Sequence, residues 1–293
     1  MRPVVFIVLL ATLVVTMPVL AASAEFPVSV IDDRGVDVVI DAMPERIVAV
    51  GALYAEILLG LGALDRLVAI ADSPDNPAEA IDLPSVGPTY APNVELIVAQ
   101  MPDLVLGATD WGGERAAIEA VGITVLTTPL LTGVIDIFDS IHTVAAAIGQ
   151  AAEGAALVGR LAEDIIRSES LILGVPPVRA AFLYAPTPDD PPYAAGTGAI
   201  EHELILRAGG INVFADIDGF PPVAFEAILA RDPEVIFTAP SQIENLTGNP
   251  LLRAVAAVRD GRVVGIRGSD ATSTRIGDAL RSMIEALHGI AVD

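Results

Sequence analysis

A run of thirteen residues near the middle of the chain returns 131 positions later without a gap: 94–106 aligns with 225–237, so that Glu95, Ala99 and Pro102 match Glu226, Ala230 and Pro233. Both copies read the same way physically. A short amphipathic helix carries the glutamate, and a proline that cannot continue the helix ends it. An acidic residue (Asp103 or Glu234) then turns the chain into an apolar, buried strand. Two copies of one helix–turn–strand unit imply two similar lobes, and two lobes imply a cleft between them.

The rest of the chain supports that division. A hairpin is expected over 28–40, turning at Asp32-Asp33-Arg34-Gly35. Strands are expected at 46–50, 67–70, 104–107 and 123–126, with helices at 54–61 and 114–120 between them. From 134 to 173 the pattern is helical, with breaks expected near Gly149 and Gly154 and an amphipathic stretch over 156–171. Strands at 178–184, 235–238 and 262–266 and helices at 200–208 and 275–288 follow. Alternating strands and helices in both halves predict an α/β fold with a mainly parallel sheet in each lobe. No segment here has the Gly/Ser composition of a flexible linker. The expected organisation is a signal peptide (1–24), an N-terminal lobe (25–148), a connecting helix (149–176) and a C-terminal lobe (177–293).

The first residues have the pattern of an export signal: Arg2, an uncharged apolar stretch from Val4, and the small-residue exit Ala22-Ser23-Ala24. A retained membrane anchor is the rival reading, but Pro18 and the alanine-rich exit favour cleavage near Ala24. With no cysteine in the chain, there is no residue to carry a lipid anchor and no disulfide, so a freely soluble, monomeric periplasmic protein is expected rather than a lipoprotein. The formal net charge of −22 makes nucleic acid a poor partner.

Pro44-Glu45-Arg46-Ile47-Val48 ahead of a strand, the repeated Glu–Pro–acid–strand unit, and Gly198…Gly209-Gly210-Ile211-Asn212-Val213-Phe214 together resemble the periplasmic solute-binding proteins of ABC importers for ferric siderophores, haem and vitamin B12. The resemblance spans 26–287. It implies two α/β lobes joined by one long rigid helix, with a metal chelate held in the cleft as cargo and no permanent cofactor. It also implies that Glu95 and Glu226, one per lobe, dock against arginines of the permease subunits. A helix that merely starts with a favourable negative charge is the plainer explanation of each glutamate. A single bridging helix resists wide hinge closure.

Cleft contacts in such a fold come from loops at the carboxyl ends of strands. The aromatic residues expected there are Tyr54, Tyr90, Trp111, Tyr184, Tyr193 and Phe220, against the ordinary alternative of surface packing. Trp111 sits in the turn Thr109-Asp110-Trp111-Gly112-Gly113, which suits presentation to a flat or apolar ligand. Arg275 is a candidate partner for a ligand carboxylate or phosphate, and Gly196-Thr197-Gly198 offers backbone amides to an anion. A catecholate siderophore needs cationic side chains in the cleft, and Arg115, Arg267 and Arg275 are the plausible ones. Haem needs an axial group, for which Tyr54 or Tyr90 would serve. The resemblance thus implies a metal chelate as ligand, a ferric siderophore or a corrinoid, with haem as the alternative.

His142, His202 and His288 are too dispersed to predict a metal cage. No nucleophile elbow, catalytic cysteine, zinc-protease helix or nucleotide fingerprint is present, so no enzyme is expected. Glu201-His202-Glu203 is read as a solvated helix face. An envelope sensory module built on the same two lobes is the remaining alternative to an importer component.

Overall fold

The structure, a computed structural model, describes residues 25–108 and 113–291. The chain opens on an antiparallel hairpin, β1 (Val28–Ile31) and β2 (Asp37–Ile40). The first lobe then runs β3 (Ile47–Ala49), α1 (Ala52–Gly60), β4 (Leu67–Asp72), β5 (Ser85–Pro88), α2 (Val94–Ala99), β6 (Leu104–Leu106), α3 (Glu114–Ala120), β7 (Thr124–Leu126) and α4 (Val134–Ala147). Helix α5 (Ala151–Ser170) carries the chain across. The second lobe is β8 (Val178–Tyr184), β9 (Tyr193–Ala194), α6 (Ile200–Arg207), β10 (Gly210–Asn212), α7 (Phe225–Arg231), β11 (Val235–Thr238), α8 (Ile243–Thr247), α9 (Ala256–Arg259), β12 (Val263–Gly265), α10 (Gly268–Ala271) and α11 (Ile276–His288).

The two sheets have one topology. The first is ordered β5-β4-β3-β6-β7, all parallel. The second is β10-β8-β11-β12, also parallel, with β9 added antiparallel to β8. The four strands β4-β3-β6-β7 thus correspond in order to β10-β8-β11-β12, and β5 is the extra edge strand of the first lobe. Ile47, Val48 and Ala49 are buried on both faces, as a central parallel strand covered by helices requires.

Helix α5 lies against α4 on the first-lobe side and α11 on the second-lobe side. Leu157 and Ile165 are buried in a core that runs continuously from the first lobe into α11, and Asp164 pairs with Arg281 of α11 at 2.5 Å. The break expected at Gly154 is absent. A β-carbon at Gly154 would run into the Ala145 side chain of α4, so this glycine lets two helices approach closely instead of ending one. The interruption falls at Gly149 alone, with φ +76°, between α4 and α5.

Candidate functional site

The carboxyl-end loops of the two sheets face one another. Asp75, after β4, accepts a hydrogen bond from the Ser269 amide of α10, after β12, at 3.0 Å. Glu56 of α1 pairs with Arg275 at 2.7 Å, and the Val134 amide donates to Glu203 of α6 at 3.0 Å. These contacts tie loops of one lobe to loops and helix ends of the other and mark the boundary of the cleft.

Aromatic side chains gather on the second-lobe wall. Tyr184, the last residue of β8, meets Phe220 edge-on with ring centroids 5.4 Å apart and leans on Phe182 at 5.3 Å. Tyr193 of β9 is its direct cross-strand partner, so the two side chains share a face of the ribbon. Phe220 and Tyr193 are exposed. Burial, then the neighbouring Glu201 carboxyl, holds the Tyr184 hydroxyl far above its ordinary range, and Asp75 and Tyr90 of the first lobe add to the effect. Tyr90, 80 % exposed, is thus close enough to Tyr184 to act on its hydroxyl. Trp111 lies outside the described residues.

Other candidates are turned inward. Tyr54 is buried, accepts from the Thr128 amide at 3.0 Å and shares a hydrogen bond with the Thr128 hydroxyl at 3.2 Å. Burial raises its pKa, so it makes a poor axial tyrosinate. Arg275 is engaged by Glu56 at 2.7 Å and by Asp270 at 3.3 Å, so its charge is already met by two carboxylates. Arg115 is 1 % exposed: it pairs with Asp33 at 2.7 Å and donates to the Ala108 carbonyl at 3.0 Å, behind the cleft loops. The amides of Gly196 and Thr197 are spent on the carbonyls of Gly219 and Ile217, so the Gly-Thr-Gly turn offers those two to no anion.

The Glu201-His202-Glu203 reading is also corrected. Glu201 is buried and accepts from the Tyr184 hydroxyl at 3.1 Å, and burial raises its pKa. His202 shares a hydrogen bond with Asn212 at 3.0 Å, and Glu203 holds Arg207. Helix α6 is covered by β8 and β10, which its own polar pattern hides.

The sequence reading missed Glu56. It is the lone charge in an otherwise apolar helix, and that isolation was the available signal. Burial pushes its pKa up, and the Arg275 charge opposes the rise.

Glu95 and Glu226 occupy the same place in α2 and α7, each the second residue of its helix. Both are exposed, and neither has a hydrogen bond or ion pair among the described residues. The acidic residues that follow each proline behave differently. Asp103 accepts from the Glu45 and Arg46 amides at 2.8 and 3.0 Å, and Glu234 accepts from the Arg179 amide at 3.1 Å, each anchoring the start of the adjacent strand. Within one repeat unit, one acid is structural and the other is unengaged.

Comparison with known proteins agrees with this architecture. Residues 47–269 match the family model described as periplasmic binding protein. A vitamin B12-binding protein of Vibrio cholerae is 26% identical over 204 residues, which is 69% of this chain and 72% of that protein. The crystal structure of an ABC-type Fe3+-hydroxamate transport system from Saccharomonospora viridis superposes with a TM-score of 0.77 at 28% identity, covering 89% of this chain and 99% of the other. A periplasmic heme-binding protein from Roseiflexus gives a TM-score of 0.75 at 26% identity, covering 83% and 98%.

Proposed function

The chain belongs to the periplasmic binding protein family, solute-binding components of ABC importers whose members take up siderophores, haem or vitamin B12, and from that premise we propose that it captures a metal chelate between its lobes and hands it to an importer in the envelope. The observation that carries the reading is the aromatic wall of Tyr184, Phe220 and Tyr193 around the carboxyl end of β8, with Tyr90 of the first lobe close enough to act on the Tyr184 hydroxyl. Broad apolar rings with a few polar tips suit a large, flat or multidentate chelate. Trp111 is kept from the sequence as a proposed ligand contact, whereas Tyr54 and Arg275 are left out because their polar groups already have partners within the protein.

Glu95 and Glu226 form the docking pair for the permease. Two unengaged carboxylates on equivalent helices of two lobes fix orientation as well as contact when each meets a guanidinium. The chain works in the periplasm, exported by a signal cleaved near Ala24, as a monomer with no resident cofactor.

Titration of the mature protein with cyanocobalamin, a ferric hydroxamate and haemin, followed by Trp111 fluorescence and calorimetry, tests the reading. Saturable binding of one chelate at micromolar concentration or below supports it. Folded protein that takes up none of them removes it.

A further inference from the structure

The cleft boundary carries a charge arrangement that bears on which chelate fits. All sixteen basic residues of the sequence are arginines, so no flexible lysine can swing in to meet an anion. Of the arginines in the loops bordering the cleft, Arg115 is hidden behind Asp33 and Arg267 is held by Asp270 at 2.9 Å. Arg275, at the start of α11, faces Glu56 from the other lobe and Asp270 from its own. The Glu56 carboxylate is 2 % exposed and makes no other ion pair among the described residues. Asp75 sits against α10 through Ser269, and Glu79 lies close enough to raise the Glu56 pKa further. Four carboxylates, Glu56, Asp75, Glu79 and Asp270, thus accompany two guanidiniums at this boundary.

We propose that Glu56 sets the charge specificity of the cleft: by pairing with Arg275 across the lobes it cancels the guanidinium an anionic ligand would use, so the site takes neutral or cationic chelates and rejects polyanionic ones. The proposal rests on the cleft being the ligand site. An anion entering would meet the carboxylates of Asp75 and Glu79, which no arginine neutralises among the described residues, or would have to break the Glu56–Arg275 pair and strand a buried carboxylate, which is costly. A neutral corrinoid or a neutral or cationic ferric hydroxamate meets neither obstacle. Glu56 acts here through Arg275 and does not itself touch ligand.

The experiment is calorimetric titration of wild type, Glu56→Gln and Glu56→Gln/Arg275→Gln with a charge series: ferrioxamine B (cationic), cyanocobalamin (neutral), haemin (anionic propionates) and a ferric tris-catecholate (trianionic). Wild type is expected to bind one of the first two at least about a hundredfold more tightly than either anion. Glu56→Gln should narrow that gap by about tenfold or more, chiefly by gained anion affinity, and the double variant should restore it. A wild type that prefers an anionic chelate overturns this inference and leaves the binding-protein reading intact. An unchanged ratio in Glu56→Gln overturns the role of Glu56. The wild-type ranking is decisive even where a variant fails to fold, and binding of no chelate by folded wild type overturns the cleft reading and this inference together.

Discussion

Met101 and Asp232 are the only non-glycine residues with positive φ among those described, at +49° and +41°, and they lie 131 positions apart, in the register of the sequence repeat. Both follow the repeated helix and precede its proline, where the chain leaves the helix through a left-handed residue. The duplication therefore preserves a strained backbone position as well as a residue pattern. Asparagine and aspartate tolerate that conformation better than other side chains, and methionine tolerates it poorly. Met101 is also exposed, so it has little packing to lose.

Met101→Gly should consequently be neutral to stabilising by up to about 1 kcal/mol, as relief of strain offsets the added freedom of the unfolded chain. Asp232→Gly should be worse by about 1 kcal/mol or more, because the Asp232 carboxylate also accepts from the Ala256 amide at 2.7 Å. Urea unfolding of both variants checks the pair. Equal effects at the two sites would mean that the Ala256 cap contributes nothing.

Gly154→Ala reverses a familiar sign. Alanine in a helix interior is normally better than glycine by about 1 kcal/mol. Here the new methyl meets Ala145 of α4, and crowding of this kind costs about 1–3 kcal/mol. The variant should melt lower than wild type, and adding Ala145→Gly should recover part of the loss. A single variant that melts higher would show that α4 and α5 separate easily, against the tight packing that sets the bridge.

Arg115→Met tests the charge cluster behind the cleft loops. Removing the guanidinium leaves Asp32, which is buried, with Arg34 alone and takes from Asp33 its partner at 2.7 Å. Breaking a buried pair on one side costs about 3–5 kcal/mol, so denaturant midpoints should fall markedly. A loss below about 1 kcal/mol would place Arg115 with the weak, screened surface pairs.

Burial raises the pKa of Glu201, so the folded chain holds this proton to higher pH than the unfolded chain does. The stability contributed by the neutral carboxyl is fully present below the ordinary value of 4.5 and is lost as pH rises through the folded value. Glu201→Gln keeps an oxygen for the Tyr184 hydroxyl and cannot ionise. Its stability should match wild type near about pH 4 and exceed it near about pH 8, as thermal unfolding across pH would show. A constant difference at all pH values would mean that Glu201 titrates as an ordinary surface carboxylate.

How legible these features were in the sequence depended on their range. The repeat unit, the hairpin at Asp32–Gly35 and the strands Ile47–Ala49 and Leu104–Leu106 follow from local periodicity and appear where expected. Strand β10 is only Gly210–Asn212, too short for alternation to register. Gly154 reads locally as a break, and only its neighbour on α4 gives it another meaning. Arg275 looked available because its partner, Glu56, is 219 residues away in sequence and in the other lobe. Glu201 looked solvated because three consecutive polar residues hide which of them the sheet covers. Local pattern carried the elements, and what it left out is how polar side chains pair across lobes.

The docking role of Glu95 and Glu226 is open to a direct test because the repeat separates its two acids. Asp103 and Glu234 hold strand starts, so their loss should lower stability. Glu95 and Glu226 hold nothing among the described residues, so Glu95→Ala with Glu226→Ala should leave the melting temperature nearly unchanged apart from a few tenths of a kcal/mol from the helix dipoles. Chelate affinity, measured by calorimetry, should also stay within about twofold of wild type, since neither residue bonds to a side chain at the cleft boundary. Importer-dependent uptake reconstituted in vesicles should nevertheless fall by about tenfold or more, with each single variant intermediate, because in the proposed docking each lobe supplies one carboxylate to the permease. Uptake that survives the double substitution would remove the docking role, and a parallel loss of chelate affinity would move both residues to the ligand site.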